Sequence, residues 1–342
     1  MNLRIFFIFI FFQYTAYSQI GGNNAFSFIN IESSARSEAM GGGLIAIYDN
    51  DITLTQTTPS LLQEDMHKDL AIYFTDYFSD INLFGFSYAH VFKNIGVISF
   101  ASKILNYGEF DLTDPTGAVN GSFTANDQVF TLGASKILNK NLSLGLNVNF
   151  LNSQYERYHS LGIFSNIAMT YHSYERKYTS TLLFKNIGRQ LISYTNQTES
   201  FPFEIQVGLS KQLKHLPFRY HISYHHLNQF NISSPYKLQT QTNFETGNLE
   251  IKDETLAKTF LRHIAIGGEL NPLKKSLFLR GGFNFQRRFD LSLETAPFLV
   301  GFSWGVGFRV FNFHFDYSRS LYHLSGYPNN FNISTNISTF GI

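Results

Sequence analysis

Few residues in this chain have the type and spacing to do chemistry. Gly301-Phe302-Ser303-Trp304-Gly305 has the G-x-S-x-G spacing of a nucleophile elbow, in which a strained strand-to-helix turn exposes a serine for acyl transfer. Here Ser303 stands inside an unbroken alternation of large and small side chains. No sharp bend is expected, and Gly305 and Gly307 read as making room on the polar face. His225 and His226 are adjacent and point to opposite faces of a strand, while His221 and His225 share a face without a carboxylate or Cys at ligand spacing. Gly41-Gly42-Gly43 closes a helical stretch instead of opening one, so it does not form a phosphate cradle. These readings predict no catalytic residue, no metal and no cofactor.

What remains is a charged set, Glu204, Arg219, Arg280, Arg309 and Asp316, each on the small and polar side of an alternating segment. The elements that carry it are strands. In "LSLGLNVNF" the residues Leu142, Leu144, Leu146, Val148 and Phe150 oppose Ser143, Gly145, Asn147 and Asn149. In "FEIQVGLS" Phe203, Ile205, Val207 and Leu209 oppose Glu204, Gln206, Gly208 and Ser210. "VGFSWGVGFRV" sets Val300, Phe302, Trp304, Val306 and Phe308 against Gly301, Ser303, Gly305, Gly307 and Arg309. "FNFHFDY" sets Phe311, Phe313, Phe315 and Tyr317 against Asn312, His314 and Asp316. A period of two with one greasy and one polar face is the signature of a strand between two unlike environments.

A soluble sandwich also alternates, but its outer faces carry abundant Lys and Glu. This 342-residue chain is only 15% charged and 17% aromatic, with 37 Phe and 19 Tyr, which favours an apolar face turned to lipid. A net charge of +1 without a basic tract excludes nucleic acid, and zero Cys excludes disulfide scaffolds. Residues 1–18 have the parts of a secretory signal: Arg4, the apolar run Ile5–Phe12, and Ala16-Tyr17-Ser18 as cleavage site. No later stretch is apolar for long enough to form a spanning helix.

The segmentation predicts fourteen strands, at 69–78, 82–92, 95–106, 126–137, 142–155, 160–172, 177–186, 202–212, 217–227, 260–270, 276–286, 297–309, 312–321 and 332–340. Connections alternate short and long after the first hairpin, as between the two rims of an outer-membrane barrel, with long loops at 107–125, 187–201 and 228–259. The last is a candidate partner-docking loop through Glu245, Glu250, Asp253 and Glu254. The expected fold is therefore all-β: a transmembrane outer-membrane barrel of about fourteen antiparallel strands over 69–342, its long loops at the cell surface.

One helix precedes the strands. In "NIESSARSEAMGGG" Ser33 or Ser34 is placed to cap it and Gly41 to end it. It is too short and polar to anchor in a membrane, while barrels above about eight strands have lumens that are open or plugged. Residues 19–68 are thus expected to form a hatch in the lumen, with Arg36 and Glu38 buried against the polar set.

The stretch "QIGGNNAFSFINIESSARSEAMGG" (19–42) resembles the mature N-terminus of PorQ-type outer-membrane proteins of the type IX secretion system, part of the FadL-like barrel group. The similarity recurs in order at "YFTDYFSDI" (73–81), "NYGEFDLTD" (106–114), "PFEIQVGLSKQL" (202–213), "LRHIAIGGE" (261–269), "RGGFNFQRR" (280–288), "GFSWGVGF" (301–308) and "YHLSG" (322–326). At 57–62 this chain has "TTPSLL" where the group usually shows Asn-Pro-Ala, keeping the proline turn without the asparagine. The resemblance implies fourteen strands with an N-terminal hatch, and a non-enzymatic part in a cell-surface attachment complex. Its partners there would be PorZ, held at the membrane, with the sortase-like PorU and PorV, and secreted cargo would be joined to surface lipopolysaccharide. The alternative, drawn from other FadL-like relatives, is a channel for hydrophobic small molecules.

Overall fold

The computed structural model describes residues 26–93, 95–195, 197–233, 240–242, 249–251, 255–273, 276–292, 299–322 and 326–341. The signal segment, and Glu245, Asp253 and Glu254 of the candidate docking loop, lie outside the described residues.

Strands β1 (Asp69–Phe78), β2 (Ile81–Phe92), β3 (Gly96–Thr113), β4 (Val119–Asn139), β5 (Leu142–Tyr155), β6 (Tyr158–Ser173), β7 (Tyr178–Ile192), β8 (Glu204–Gln212) and β9 (Phe218–Tyr224) come first. A small separate pair, β10 (Thr240–Thr242) and β11 (Leu249–Ile251, which contains Glu250), follows. Strands β12 (Ile264–Leu270), β13 (Leu277–Asn284), β14 (Phe302–Val310), β15 (Phe313–Ser320) and β16 (Asn329–Asn336) complete the wall. Every strand but β10 and β11 belongs to one closed antiparallel barrel of fourteen, with β9 beside β12 and β1 beside β16. The closing register runs from Asp69 opposite Asn336 to Asp76 opposite Asn329.

The alternation read from the sequence sets which side chains face lipid. In β5, Ser143, Gly145, Asn147 and Asn149 are buried inside while Leu144, Leu146 and Phe150 are exposed outside. Trp304 and Phe308 of β14, with Phe331 and Ile333 of β16, continue the outer apolar surface. Closure gives each of the fourteen strands a hydrogen-bonded neighbour on both sides, as hydrocarbon requires. This is a transmembrane, outer-membrane β-barrel.

Several boundaries differ from the sequence reading. The long loop expected at 107–125 is mostly strand: β3 and β4 continue past a register shift between Asn106 and Glu109, and only 114–118 turns. Cross-strand pairing carries the strands through Gly108 and Gly121, while Gly117 sits in the turn. Residues 260–262, expected as strand, belong to α2 (Leu256–Arg262), built from good helix formers, and His263, also expected as strand, is its C-cap. Residues 285–286, also expected as strand, open α3 (Phe285–Leu291), whose N-cap Asn284 accepts from Arg287 N at 3.0 Å. Val300, expected to face outward, is buried. Residues 338–340, expected as strand, lie in a 3-10 turn after β16.

Ahead of β1, residues 26–68 run through the lumen as one short helix, α1 (Ala35–Ala39), and four 3-10 turns. They end at the rim that holds the outer ends of β1 and β16, called here the terminal rim; the other is the far rim. At the terminal rim Lys68 N donates to Ala89 O and Asn336 Nδ2 donates to His67 O at 2.8 Å each.

Candidate functional site

The site is the lumen itself, and it is built around α1. Ser34 caps the helix, accepting from Ser37 N. The end is a Schellman turn: Gly41 N donates to Glu38 O and Gly42 N to Ser37 O, at 3.2 and 2.9 Å. Gly41, Gly42 and Gly43 all have positive φ (96°, 78° and 69°), a backbone that side chains with a Cβ resist, so the triplet can turn the chain sharply inside a narrow space. Asn332 of β16 grips the first turn, accepting from Ala35 N at 3.1 Å and donating to Ser33 O at 3.2 Å.

The helix sits where the wall has no side chains. A Cβ at Gly282 would fall on the Met40 and Gly41 backbone, and one at Gly305 would lie 2.6 Å from the Ala39 Cβ. Between them Ser303 Oγ donates to Ala39 O at 3.0 Å. In the apparent nucleophile elbow, Gly301 is a turn residue ahead of β14, while within the strand Ser303 ties the hatch down and Gly305 seats it.

Arg36 projects from α1 into a charged network. It forms a double hydrogen bond to Glu269, both at 2.8 Å, and reaches Asp49 at 2.9 and 3.0 Å and Asp51 at 3.1 Å. Arg219 adds a 2.8 Å bond to Asp49. Arg280 bonds Glu269 at 2.8 Å and also Asp316, which His314 meets at 3.1 Å. Arg36, Glu269 and Arg280 are 5–6% exposed, so these charges rely on one another instead of water. Glu38 pairs instead with Arg287 of α3, at 2.7 and 3.0 Å. Burial would raise the carboxyls of the hatch residues Glu38 and Asp49. Arg287 beside the first, and Arg36 and Arg219 beside the second, outweigh it and hold both below the usual carboxylate range.

Of the residues singled out from sequence, Arg36, Arg219, Arg280 and Asp316 therefore meet in one cluster, and Glu38 is buried beside them. Glu204 lies apart, against His225 (3.4 Å), His226 (3.8 Å) and Gln206 (2.7 Å). Arg309 is exposed at the terminal rim, where it borders a cavity of about 310 Å³ with Asp65, Asp69 and His314. Sequence reasoning missed Glu269, Asp49, Asp51 and Arg287. Glu269 had a signal: in "IAIGGEL" it shares the inward face with Ala265 and Gly267. In "TTPSLL" Thr58 precedes the proline turn, makes no capping bond, and its buried hydroxyl has no hydrogen-bond partner.

The opposite side of the lumen is neutral near the terminal rim and apolar toward the far rim. Asn147 donates to Thr55 O and Gln56 O at 3.1 and 2.6 Å, Asn166 to Thr57 O at 3.2 Å, and Ser143 to Ser60 O at 2.7 Å. Beyond these, Phe26, Phe28 and Ile29 of the hatch pack among Tyr73, Leu83, Leu105, Val129, Leu151, Phe164 and Phe201. Lys103 Nζ lies beside this chamber and donates to Ile29 O and Ile31 O at 3.1 and 2.7 Å.

Next to the chamber the wall has a break. The β7–β8 ladder ends at Lys185 opposite Glu204, while β7 continues to Ile192 paired only with β6. Asn186, at φ 61°, bulges from β7 and closes the gap with its side chain, donating to Pro202 O at 2.9 Å and to Asn30 Oδ1 at 3.0 Å. Strands in such barrels gain about 2.5 Å of height per residue, so the break, eight residues above Tyr178, lies about 20 Å up, within an apolar band about 25 Å tall.

No family model matches this chain, and no curated protein matches it. Among solved structures it is similar to the toluene transporter TbuX of Ralstonia pickettii (13% identity, TM-score 0.48, 90% of this chain and 98% of that one). It is also similar to the toluene transporter TodX of Pseudomonas putida (12%, TM-score 0.49, 89% and 97%) and to a FadL homologue of Pseudomonas aeruginosa (10%, TM-score 0.46, 89% and 98%). The closed strand ladder by itself defines the fold.

Proposed function

We propose that this barrel, its terminal rim in the periplasm and its long loops outside, admits small hydrophobic molecules into the chamber beneath the far rim. They would leave sideways into the bilayer through the β7–β8 break. The observation that carries this reading is the position of the break: Phe164 and Phe201 of the chamber pack at 5.3 Å between ring centres, next to Asn186 and Pro202, which span the gap. A molecule taking the place of Phe26, Phe28 and Ile29 would exchange one apolar neighbour for another, while the charged seat of α1 keeps water and ions from following.

The chain lacks Cys, so a cysteine pair Asn186→Cys with Pro202→Cys can staple the break without interference. Uptake of labelled toluene by cells carrying the oxidised pair should fall to the level of cells without the protein, and recover on reduction. Wild-type uptake no better than in null cells overturns the channel, and undiminished uptake by the stapled form overturns the exit.

A second reading has its own support at the far rim. There α2 and α3 pack together through Arg262 and Asp290, with Lys258 and Arg262 over the Phe289 ring, and Leu256 and Phe260 stand exposed. In this reading the cap and the 228–259 excursion dock PorZ, with PorU and PorV, in an attachment complex that joins cargo to lipopolysaccharide. Deleting 231–256 should then release PorZ from detergent-extracted outer membrane while the barrel stays folded; unchanged retention argues against that surface.

A further inference from the structure

A second cavity opens at the terminal rim, away from the chamber and the break. It measures about 120 Å³, and Tyr48 of the hatch, His172, Tyr174, Lys177, Tyr178 and Arg219 line it. For scale, an apolar cavity of about 150 Å³ accepts benzene. His172 is the unusual member. It is only 4% exposed, yet neither ring nitrogen has a hydrogen-bond partner. A buried imidazole left unpaired costs free energy, so its nitrogens favour a polar partner. Its ring stacks on Tyr48 at 3.9 Å between centres and 9° between planes, and Tyr174 meets it edge-on at 4.6 Å. Two cations flank the space: Lys177, exposed in the turn between β6 and β7, and Arg219, which reaches across to Asp49 at 2.8 Å.

We propose that this cavity binds a small aromatic carboxylate, which pairs with Lys177 and a ring N–H of His172 and draws Arg219 away from Asp49. The aromatic walls suit a flat apolar body, and the two cations with an unpaired donor suit one carboxylate. Arg219 is shared between the cavity and the network around Arg36. Occupancy therefore weakens the hold on the hatch segment 48–51 that Tyr48 and Asp49 supply. The site is independent of the transport reading, since none of its lining residues belongs to the chamber or the break.

Benzoate is the probe, titrated calorimetrically into the full-length barrel in detergent, with benzyl alcohol as uncharged control. A ligand of this size is expected to bind with Kd of about 1 mM. His172→Phe keeps a ring to stack on Tyr48 and removes both nitrogens; Lys177→Gln changes an exposed turn. Each should weaken benzoate at least about fivefold, the worth of one lost hydrogen bond or ion pair. Hydrogen exchange of amides 44–52 should quicken on saturation. No saturable binding up to about 20 mM, equal binding of benzyl alcohol, or unchanged affinity in both variants overturns the site. Binding without faster exchange overturns its coupling to the hatch. If His172→Phe fails to fold, Lys177→Gln alone decides.

Discussion

The two halves of the barrel wall hold the same hatch by different physics. Strands β3 to β7 have 14 to 21 residues, whereas β9 and β12 to β16 have 7 to 9. At about 2.5 Å of height per residue the first half overtops an apolar band of about 25 Å and the second falls short of it. Helices α2 and α3 stand on the short side. Both halves meet the hatch with amides, hydroxyls and glycines, but the tall half adds apolar side chains and the short half adds ionic pairs. Apolar contact is non-directional and tolerates sliding, while a double guanidinium–carboxylate bond demands one geometry. The hatch is thus pinned on one side and free to be exchanged on the other.

That contrast can be broken most severely at Arg36. Arg36→Met leaves the buried Glu269 and the half-buried Asp49 and Asp51 without their common cation, a loss of about 3–5 kcal/mol. Denaturant melts should show it, and planar-bilayer recordings should show ion leakage as α1 leaves its seat. Phe28→Ala acts on the other side. It should cost about 3 kcal/mol through lost burial but leave the lumen closed to ions, because the pinned half is intact. Leakage equal to that of Arg36→Met would erase the distinction. Gly282→Ala pushes a methyl onto the Met40 and Gly41 backbone and should cost about 2 kcal/mol, with greater hydrogen exchange confined to 35–43. Ser303→Ala removes one bond to Ala39 O, about 1 kcal/mol in melts. A hydrolytic activity lost with that hydroxyl would contradict its role as a tie.

Acid should work on the pinned side alone. Glu38 and Asp49 are held below the usual carboxylate range, so their contribution is present at neutral pH and lost as pH falls through that range into their depressed values. The hatch should exchange faster near α1 in acid while Phe28 and its neighbours change little, which exchange profiles at two pH values would record.

The barrel was legible because a strand between lipid and lumen must alternate, and slipping by one residue would turn every Phe and Leu inward. All fourteen strands were recognised for that reason, along with the capping serine and the glycine stop of α1. The ends of strands were harder: pairing carried β3 and β4 through their glycines, and helices replaced the tops of short strands, at α3 even where Phe283, Asn284, Phe285 and Gln286 still alternate. In the site, Arg36 and Glu38 stood out as charges on a small helix, yet nothing local marks Asp49 and Asp51 in "YDND" as their neighbours; that contact exists only because the glycine triplet folds the hatch back. Arg309 and Glu204 share the polar face with the network residues, but height along a strand, which alternation does not encode, separates them from it.

The grip of Asn332 on α1 has a bearing on biogenesis. Ser33 and Ala35 come early in the chain, and Asn332 sits on the strand that seals the cylinder against β1. Contacts so distant in sequence form late. The hatch therefore cannot be latched until the final strand arrives. A barrel that sealed around an empty lumen would leave that asparagine without its two backbone partners, so enclosing the hatch and finishing the wall are parts of one assembly step.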